Sequence, residues 1–349
     1  MEHRLDTRLL QLPPASLHAL TPKLCAIDEF KGWWSRARQA AGATENAGQV
    51  AQDALAALGR IAAFGAEDER AQAQQLRRGL VSASRTGYAE TLEAVLADHV
   101  RMEFGEELLL SLHSRLLAYV PESRANLGRY RTPAESPVAA ERNKVDAARF
   151  APMVARLAPG ETKAATEWAR TRLRSCGFHP LLVIGSFTFE LLCIRPFARG
   201  NERLVRVVTQ LLLLRCGYEQ VRSVSLDAVF AGRWNDCQGA LRRSQANRKL
   251  LRPDISPWLG VCLDVLLEHG AKARAVAERA PDESRLSANQ LGVLQLFERD
   301  HEVTNRAIRE SLGLPRDTAK QVIKRLVTLG RIEAFGAGRS VRYRRSERR

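Results

Sequence analysis

An arginine-rich loop lies between two apolar helical segments and reads Ile194-Arg195-Pro196-Phe197-Ala198-Arg199-Gly200-Asn201-Glu202-Arg203-Leu204-Val205-Arg206. The segment before it, residues 181–192, is the most apolar part of the chain, and the apolar segment after it runs to Arg215. Pro196 and Gly200 interrupt the helical pattern between the two. We therefore expect two buried helices joined by a glycine-containing loop, an arrangement that forms a pocket.

The arginines make this loop a candidate anion site. Four of them, Arg195, Arg199, Arg203 and Arg206, surround the start of the second helix, where the macrodipole is positive and cations are disfavoured. Free amides at a helix start, a permissive glycine and convergent arginines together favour binding of an anion such as phosphate. A second interpretation stays open, in which Glu202 and other carboxylates neutralise the arginines and the loop binds nothing.

The same loop resembles the signature of Fic (Fido-domain) proteins, His-Pro-Phe-x-Asp/Glu-Gly-Asn-Gly-Arg-x-x-Arg. Six of the nine defined positions match, namely Pro196, Phe197, Gly200, Asn201, Arg203 and Arg206. Other segments similar to Fic proteins are Leu112-His113, Gly128-Arg129-Tyr130-Arg131-Thr132, His179-Pro180-Leu181-Leu182 and Asp254-Ile255-Ser256-Pro257-Trp258. The resemblance covers the chain from about Leu12 to Gly270 and implies a Fic-like helical core whose loop binds ATP phosphates.

Three mismatched positions remove the chemistry that the resemblance implies. In the family pattern a histidine takes the proton of a target hydroxyl during adenylyl transfer, and an acid binds magnesium. Arg195 stands at the histidine position, and a guanidinium cannot accept a proton at neutral pH. Arg199 replaces the acid and repels a metal ion, while Glu202 replaces a glycine of the phosphate cradle. We therefore assign no catalytic residue and expect no metal site.

The resemblance leaves a binding role open without requiring any cofactor. The candidate residues for binding ATP, another nucleotide or a simple phosphate anion are Gly200, Asn201, Arg203, Arg206 and Arg199. His179 and Glu190 are conceivable substitutes for the missing base, but a core histidine and a buried ion-paired carboxylate are the roles we expect. Many Fic proteins also carry an inhibitory helix similar to Ser-x-x-x-Glu-Gly, whose glutamate pairs with the last arginine of the loop, here Arg206. Residues 82–87 fall where this helix is expected, with Thr86 in place of the glutamate.

The C-terminal segment is strongly basic. Of the net charge of +15, residues 286–349 contribute +7, with 14 basic and 7 acidic residues. Ser287 and Thr304 are candidate N-caps of two helices, and residues 315–326 predict a third. The residues that this third helix is expected to bury are Ala319, Val322, Ile323 and Leu326. Segments 331–335 and 339–343 predict a hairpin around Gly336-Ala337-Gly338, so the whole resembles a winged helix-turn-helix.

This pattern predicts binding to double-stranded DNA. A helix about 12 residues long fits the major groove, where polar side chains meet base edges and arginines or lysines hold phosphates. The candidate DNA-binding residues are Arg316, Thr318, Lys320, Gln321, Lys324, Arg339, Arg342 and Arg344. The alternative is a winged helix that contacts proteins and keeps its arginines solvated.

Length and composition exclude several classes of protein. The 349 residues are 45% hydrophobic and 27% charged, with 23 glycines and 14 prolines, which excludes disordered and low-complexity chains. No apolar stretch reaches the roughly 18 residues of a membrane span, and the N-terminus lacks a signal-peptide pattern. We expect a cytoplasmic protein without a membrane partner. Six cysteines without metal-ligand spacing are expected to pack in the core: Cys25, Cys176, Cys193, Cys216, Cys237 and Cys262.

The sequence thus predicts a mainly α protein with three regions. These are an N-terminal helical region (1–98), a Fic-like core (99–285) and a winged helix-turn-helix (286–349). The function we expect is a DNA-binding, transcription-regulating protein whose degenerate core senses a nucleotide or phosphate anion and serves in homodimerisation. The alternative is a Fic-type protein adenylyltransferase or an altered phosphate-group transferase. A third possibility is a purely structural interaction protein.

Overall fold

The computed structural model describes residues 3–41, 86–135, 153–247, 254–279, 287–297, 300–328, 331–336 and 341–346. Within these ranges the protein is mainly helical, as the sequence predicts. The chain divides into two compact units, the first formed by Met1–Trp34 and Glu45–Ala275 and the second by Ser35–Thr44 and Val276–Arg349. The boundary predicted at residue 98 lies inside the first unit.

The first unit is built from helices. They are α1 (Arg4–Leu10), α2 (Pro14–Ala41), α3 (86–98), α4 (Glu106–Leu116), α5 (Ala158–Ser175), α6 (Pro180–Ile194), α7 (Asn201–Arg215), α8 (Leu226–Gly232), α9 (Trp234–Asn247) and α10 (Ser256–Arg279). Helices α2 and α10 begin in the first unit, and their last residues belong to the second. Short 3-10 turns lie at Pro121–Asn126, Pro133–Glu135, Ala155–Leu157 and Glu219–Arg222. None of the described helices combines the length and the apolar character that crossing a bilayer requires.

Helix α6 lies in the core of the first unit. All but three of its fifteen residues are buried, and α5 and α7 pack against it. Gly185 allows α10 to approach closely, because a Cβ there would lie 2.7 Å from Leu259 Cδ2. The Trp258 indole donates to the Gly185 carbonyl at 3.0 Å. The prediction of a buried helix in the apolar segment 181–192 is confirmed.

Glu190 is a fully buried carboxylate on α6, and α1 supplies its counterions. Arg8 donates to Glu190 Oε1, and Arg4 Nη2 lies 3.2 Å from Oε2. Asp6 attaches the same short helix to α5 by accepting from Trp168 Nε1 at 2.8 Å and from Arg172 Nε at 2.7 Å. Because a buried charge is tolerated only when it is paired, these contacts make α1 an integral part of the core.

Gly87 brings α3 close to the end of α4. A Cβ at this position would lie 2.6 Å from the carbonyl oxygen of Leu116 and 3.0 Å from that of Arg115. Both are backbone atoms, so we expect Gly87→Ala to lower the free energy of unfolding by about 1–3 kcal/mol in urea titrations. The control is Gly160→Ala in α5, where nothing lies within 4 Å of the added Cβ and a gain of up to about 1 kcal/mol is expected. Equal losses in both variants would contradict the prediction.

Apart from the ends of α2 and α10, the described residues of the second unit form three helices and a small sheet. The elements are α11 (Ala288–Leu296), β1 (Val303–Thr304), α12 (Asn305–Leu312), α13 (Arg316–Thr328), β2 (Ile332–Phe335) and β3 (Arg342–Arg345). The strands are antiparallel in the order β1-β3-β2. Ser287 and Thr304 cap α11 and α12 as predicted, accepting from Gln290 N and Ala307 N. A separate hydrophobic core joins these elements through Val293, Ile308, Val322, Ile323, Leu326 and Ile332.

The hairpin prediction is wrong in the position of its second strand. Phe335 pairs with Arg342, and Val341 precedes the strand instead of belonging to it, so β3 begins at Arg342. This register allows Tyr343 to pack against the core of the unit. The sequence also missed β1, because two residues are too few to show an alternating pattern. Arg339 lies outside the described residues.

The cysteines are only partly in the core. Cys193 and Cys237 are buried and Cys216 is half-buried. The core-packing prediction is wrong for Cys25 and Cys176, which are exposed. The first lies on the solvent-facing side of α2, and the second follows the end of α5 with a φ of 52°. Cys262 is also half-buried. Over the described ranges, no three potential metal ligands come together.

Candidate functional site

A buried arginine side chain holds the loop between α6 and α7 by donating hydrogen bonds to backbone carbonyls. Arg195 ends α6 in the left-handed conformation with a φ of 48°, and Gly200 begins α7 with a φ of 77°. Arg131 donates from Nε to the Arg195 carbonyl at 2.6 Å and from Nη2 to the Ile194 carbonyl at 3.3 Å. It also donates to the carbonyl of Met153. Arg131 therefore satisfies carbonyl groups that the end of α6 leaves without partners.

Asn201 and His113 hold the turn in the middle of the loop. The Asn201 amide accepts from Phe197 N at 3.0 Å and donates to the Phe197 carbonyl at 2.8 Å. The His113 ring stacks on Phe197 with 3.8 Å between centroids. Its Nδ1 accepts from Gly128 N at 3.1 Å, which leaves the hydrogen on Nε2 to donate to the Arg199 carbonyl at 3.0 Å. Burial lowers the pKa of His113, in agreement with a neutral ring.

Removing the Asn201 amide should destabilise the loop. Asn201→Ala leaves the buried N–H of Phe197 without a partner, so we expect the free energy of unfolding to fall by about 2 kcal/mol. Chemical denaturation measures the loss. The control is Asn235→Ala on the exposed side of α9, for which a change within about 0.5 kcal/mol is expected. A loss in Asn201→Ala no larger than in the control would show that the amide bridge does not hold the loop.

The loop arginines have different surroundings. Arg195 pairs with Glu202 at 3.8 Å between Nη2 and Oε1. Arg199 is exposed, and its guanidinium has no ion pair within the described chain. Burial, and then the nearby charge of Arg206, lowers the pKa of Arg203, whose guanidinium meets no carboxylate within 4 Å among the described residues. Glu202 therefore forms an ion pair with Arg195, and its charge opposes the lowering of the Arg203 pKa. Among the described residues, Arg199 and Arg203 form no ion pair.

Arg206 lies beside a buried carboxylate that the sequence analysis missed. Its Nε is 3.9 Å from Asp227 Oδ1, and its Nη1 is buried without a hydrogen-bond partner. Asp227 Oδ2 accepts from the Tyr88 hydroxyl at 2.7 Å and from Gln210 Nε2 at 3.2 Å. Burial raises the pKa of Asp227, while Arg206 and the two hydrogen bonds oppose this shift. In the sequence, the one signal that could have drawn attention to Asp227 is Ser225, which caps α8 two residues earlier.

The expected inhibitory motif lies largely outside the described residues, which include only Thr86 and Gly87 of segment 82–87. Thr86 is exposed at the beginning of α3. The carboxylate beside Arg206 comes instead from Asp227 in α8. An acidic partner for Arg206 is therefore present, although its source is a different part of the chain.

The two conceivable substitute bases both have structural partners. His179 caps α6 by accepting from Leu181 N at 3.2 Å, and its Nε2 lies 2.9 Å from Asp28 Oδ2. His179 is half-buried, so the prediction of a core histidine is wrong. The hydrogen bond that its ring accepts from Leu181 N fixes the position of the ring. Glu190 is the buried ion-paired carboxylate described above. Neither residue is assigned a catalytic role.

Helix α13 carries the candidate DNA-binding residues from Arg316 to Lys324. It buries Ala319, Val322, Ile323 and Leu326, as the sequence predicts. Its exposed side chains include Arg316, Lys320, Gln321, Lys324 and Arg325, whereas Thr318 is half-buried. No ion pair of Arg316, Lys320 or Lys324 occurs in the described part of the chain. On β3, Arg342 pairs with Glu302 at 3.0 Å and Arg344 with Glu333 at 3.3 Å.

Comparison with known proteins places a Fic/DOC family domain at residues 103–213. The structure is similar to that of a Fic family protein from Desulfovibrio desulfuricans G20, with a TM-score of 0.56, 17% identity and 97% of each chain covered. It is also similar to a Fic domain containing signaling protein from Bacteroides thetaiotaomicron VPI-5482, with a TM-score of 0.50 and 14% identity, covering 72% of this chain and 98% of that chain.

No curated protein sequence matches the chain. The identities to the two solved structures are low, so the likeness establishes the fold alone. The chain therefore has a mainly helical, Fic-like fold, and the Fic/DOC family model matches residues 103–213 of it.

Proposed function

We propose that the protein is a DNA-binding regulator in which a Fic-like core without the family's catalytic groups is joined to a winged helix-turn-helix. The observation that carries the proposal is the amphipathic character of α13. Its apolar side completes the small core, while Arg316, Lys320 and Lys324 reach solvent without a carboxylate partner in the described chain. Such unpaired cations are suited to a polyanion.

The geometry of the second unit fits a major groove. Helix α13 has 13 residues, a length of about 20 Å at 1.5 Å per residue. Gly313 ends α12 with a φ of 62°, which permits the tight turn into α13. The proposed base-reading residues are Arg316, Thr318, Lys320 and Gln321. The proposed phosphate contacts are Lys324, Arg339, Arg342 and Arg344, because a long basic side chain at the flank positions the protein without reading sequence.

Selection of genomic fragments by the purified full chain at two salt concentrations tests this proposal. Phosphate contacts weaken steeply with salt, whereas base readout persists as a preference among sequences. Enrichment of a few sequences at the higher salt concentration is the expected result. Palindromic sequences among them would indicate a homodimer on DNA. The absence of enrichment at both salt concentrations would overturn the DNA-binding role and leave protein contact as the alternative for this unit.

The core is proposed to bind a phosphate anion rather than to transfer one. Arg195 stands where a base is needed and pairs with Glu202, and a guanidinium at that position cannot accept a proton at neutral pH. Arg203 lies half-buried at the start of α7 and has no carboxylate within 4 Å in the described chain. Calorimetry with ATP is expected to show binding that does not require magnesium and that Arg203→Ala weakens. Absence of binding would favour the purely structural role.

A mass measurement distinguishes the proposed binding role from the alternative of protein adenylyl transfer. Incubation with ATP and magnesium is expected to leave the mass of the protein and of cell proteins unchanged. A mass gain of one AMP on any of them, lost in Arg203→Ala, would instead make the protein an adenylyltransferase with an unusual base.

A further inference from the structure

An acidic residue lies in the middle of the solvent-facing side of α13. Asp317 is exposed in the first turn of this helix. About two and a half helical turns separate it from the fully buried Leu326, so the two side chains lie on opposite sides of α13. Gln321 and Lys324 follow Asp317 by one and two turns and are exposed on its side of the helix. Asp317 therefore belongs to the surface for which we propose contact with the major groove.

The carboxylate of Asp317 has no partner in the part of the chain that the structure describes. Neither an ion pair nor a side-chain hydrogen bond joins it to Lys320 or Gln321, although both lie about one turn further along α13. The macrodipole stabilises a carboxylate near a helix N-terminus, which is the purely structural explanation of this residue. On a surface that faces DNA, the phosphates repel the same carboxylate. A hydrogen bond donated by a base offsets this repulsion.

Few groups of a DNA duplex donate such a hydrogen bond. In the major groove the donors are the N4 amine of cytosine and the N6 amine of adenine, whereas guanine and thymine present acceptors. Adenine also presents its N7 acceptor beside the amine, and that acceptor repels a carboxylate, whereas cytosine presents the amine alone. We propose that Asp317 accepts a hydrogen bond from the N4 amine of a cytosine and specifies that base at one position of the bound sequence. The proposal rests on DNA binding by the second unit and adds a base that this unit reads.

Selection of genomic fragments by the full wild-type chain and by Asp317→Ala tests the proposal. We expect the wild type to enrich sequences with a cytosine at one fixed position, and the variant to lose the preference at that position alone. Pyrimidin-2-one then replaces this cytosine in a selected fragment, which removes the N4 amine and keeps the opposite guanine. Fluorescence anisotropy should show wild-type binding at least about tenfold weaker and binding of the variant less than about threefold weaker. A purely structural role of Asp317 would change stability and leave the base preference as it is.

The control variant Asp300→Ala removes the same charge from an exposed residue outside α13 and should keep the wild-type preference. If the wild type enriches sequences and Asp317→Ala shows the same preference for cytosine, the inference is wrong while the DNA-binding role stands. The same conclusion follows if no position of the enriched sequences prefers cytosine. If the wild type enriches no sequence, the DNA-binding role fails and the inference fails with it. The cytosine analogue needs only the wild-type chain, so unchanged binding contradicts the inference even if Asp317→Ala does not fold.

Discussion

Glu190→Ala is expected to lower the free energy of unfolding by about 3–5 kcal/mol, because it leaves a buried guanidinium without its counterion. The Arg8 side chain is 9% exposed and donates to Glu190, which is fully buried. Arg4 also loses a partner, although it keeps Glu161. The loss should appear in guanidinium chloride unfolding as a lower midpoint, since α1 no longer has its contact with α6.

A surface ion pair provides the matched control. Glu167 pairs with Arg170 on the exposed side of α5, so Glu167→Ala should cost no more than about 1 kcal/mol. Removing both charges of the buried pair should restore stability, because apolar side chains of similar volume need no counterion. We therefore expect the double variant Arg8→Met with Glu190→Leu to be more stable than Glu190→Ala. Equal losses for Glu190→Ala and Glu167→Ala would contradict the role of the buried pair.

Reversing two charges on α13 is expected to weaken DNA binding at least about a hundredfold at physiological salt. Lys320 and Lys324 are exposed and four residues apart, so they lie on the same side of the helix. In the variant Lys320→Glu with Lys324→Glu, two attractive phosphate or base contacts become repulsive. The slope of affinity against salt concentration should also fall, because fewer counterions are released. Fluorescence anisotropy with a selected fragment measures both quantities.

The control variant changes the net charge by the same amount elsewhere. Arg156 and Lys163 are exposed in the first unit, and Arg156→Glu with Lys163→Glu is expected to change affinity less than about tenfold. Thermal unfolding checks that both variants fold. If the two double variants weaken binding equally, only the overall charge matters and α13 is not the DNA-contacting helix.

The local elements could be predicted from the sequence because their signals are local. The apolar run before Arg195 indicates a helix buried on all sides, and α6 is that helix. Ser287 and Thr304 cap helices because a side-chain oxygen reaches an amide three residues away. In α13 the spacing of the apolar residues at three and four positions selects the buried side.

Contacts between distant segments could not be predicted in the same way. Glu190 was expected to be a buried paired carboxylate, but its partner Arg8 is 182 residues away. Tyr88 and Asp227 are 139 residues apart and carry no motif that connects them. The start of β3 was placed too early, since Val341 precedes the strand. The reason is that strand register depends on which side chain packs against the core.

By itself, the amino-acid sequence determined the helices, their caps, the loop with its unusual arginines and the side of α13 that is buried. These features depend on residues a few positions apart, which interact in any conformation that forms a helix or a turn. Only the tertiary structure decided which carboxylate meets Arg206 and which arginines pair with Glu190. Packing brings those groups together from separate helices, 182 residues apart for Arg8 and Glu190, and no local pattern encodes that proximity.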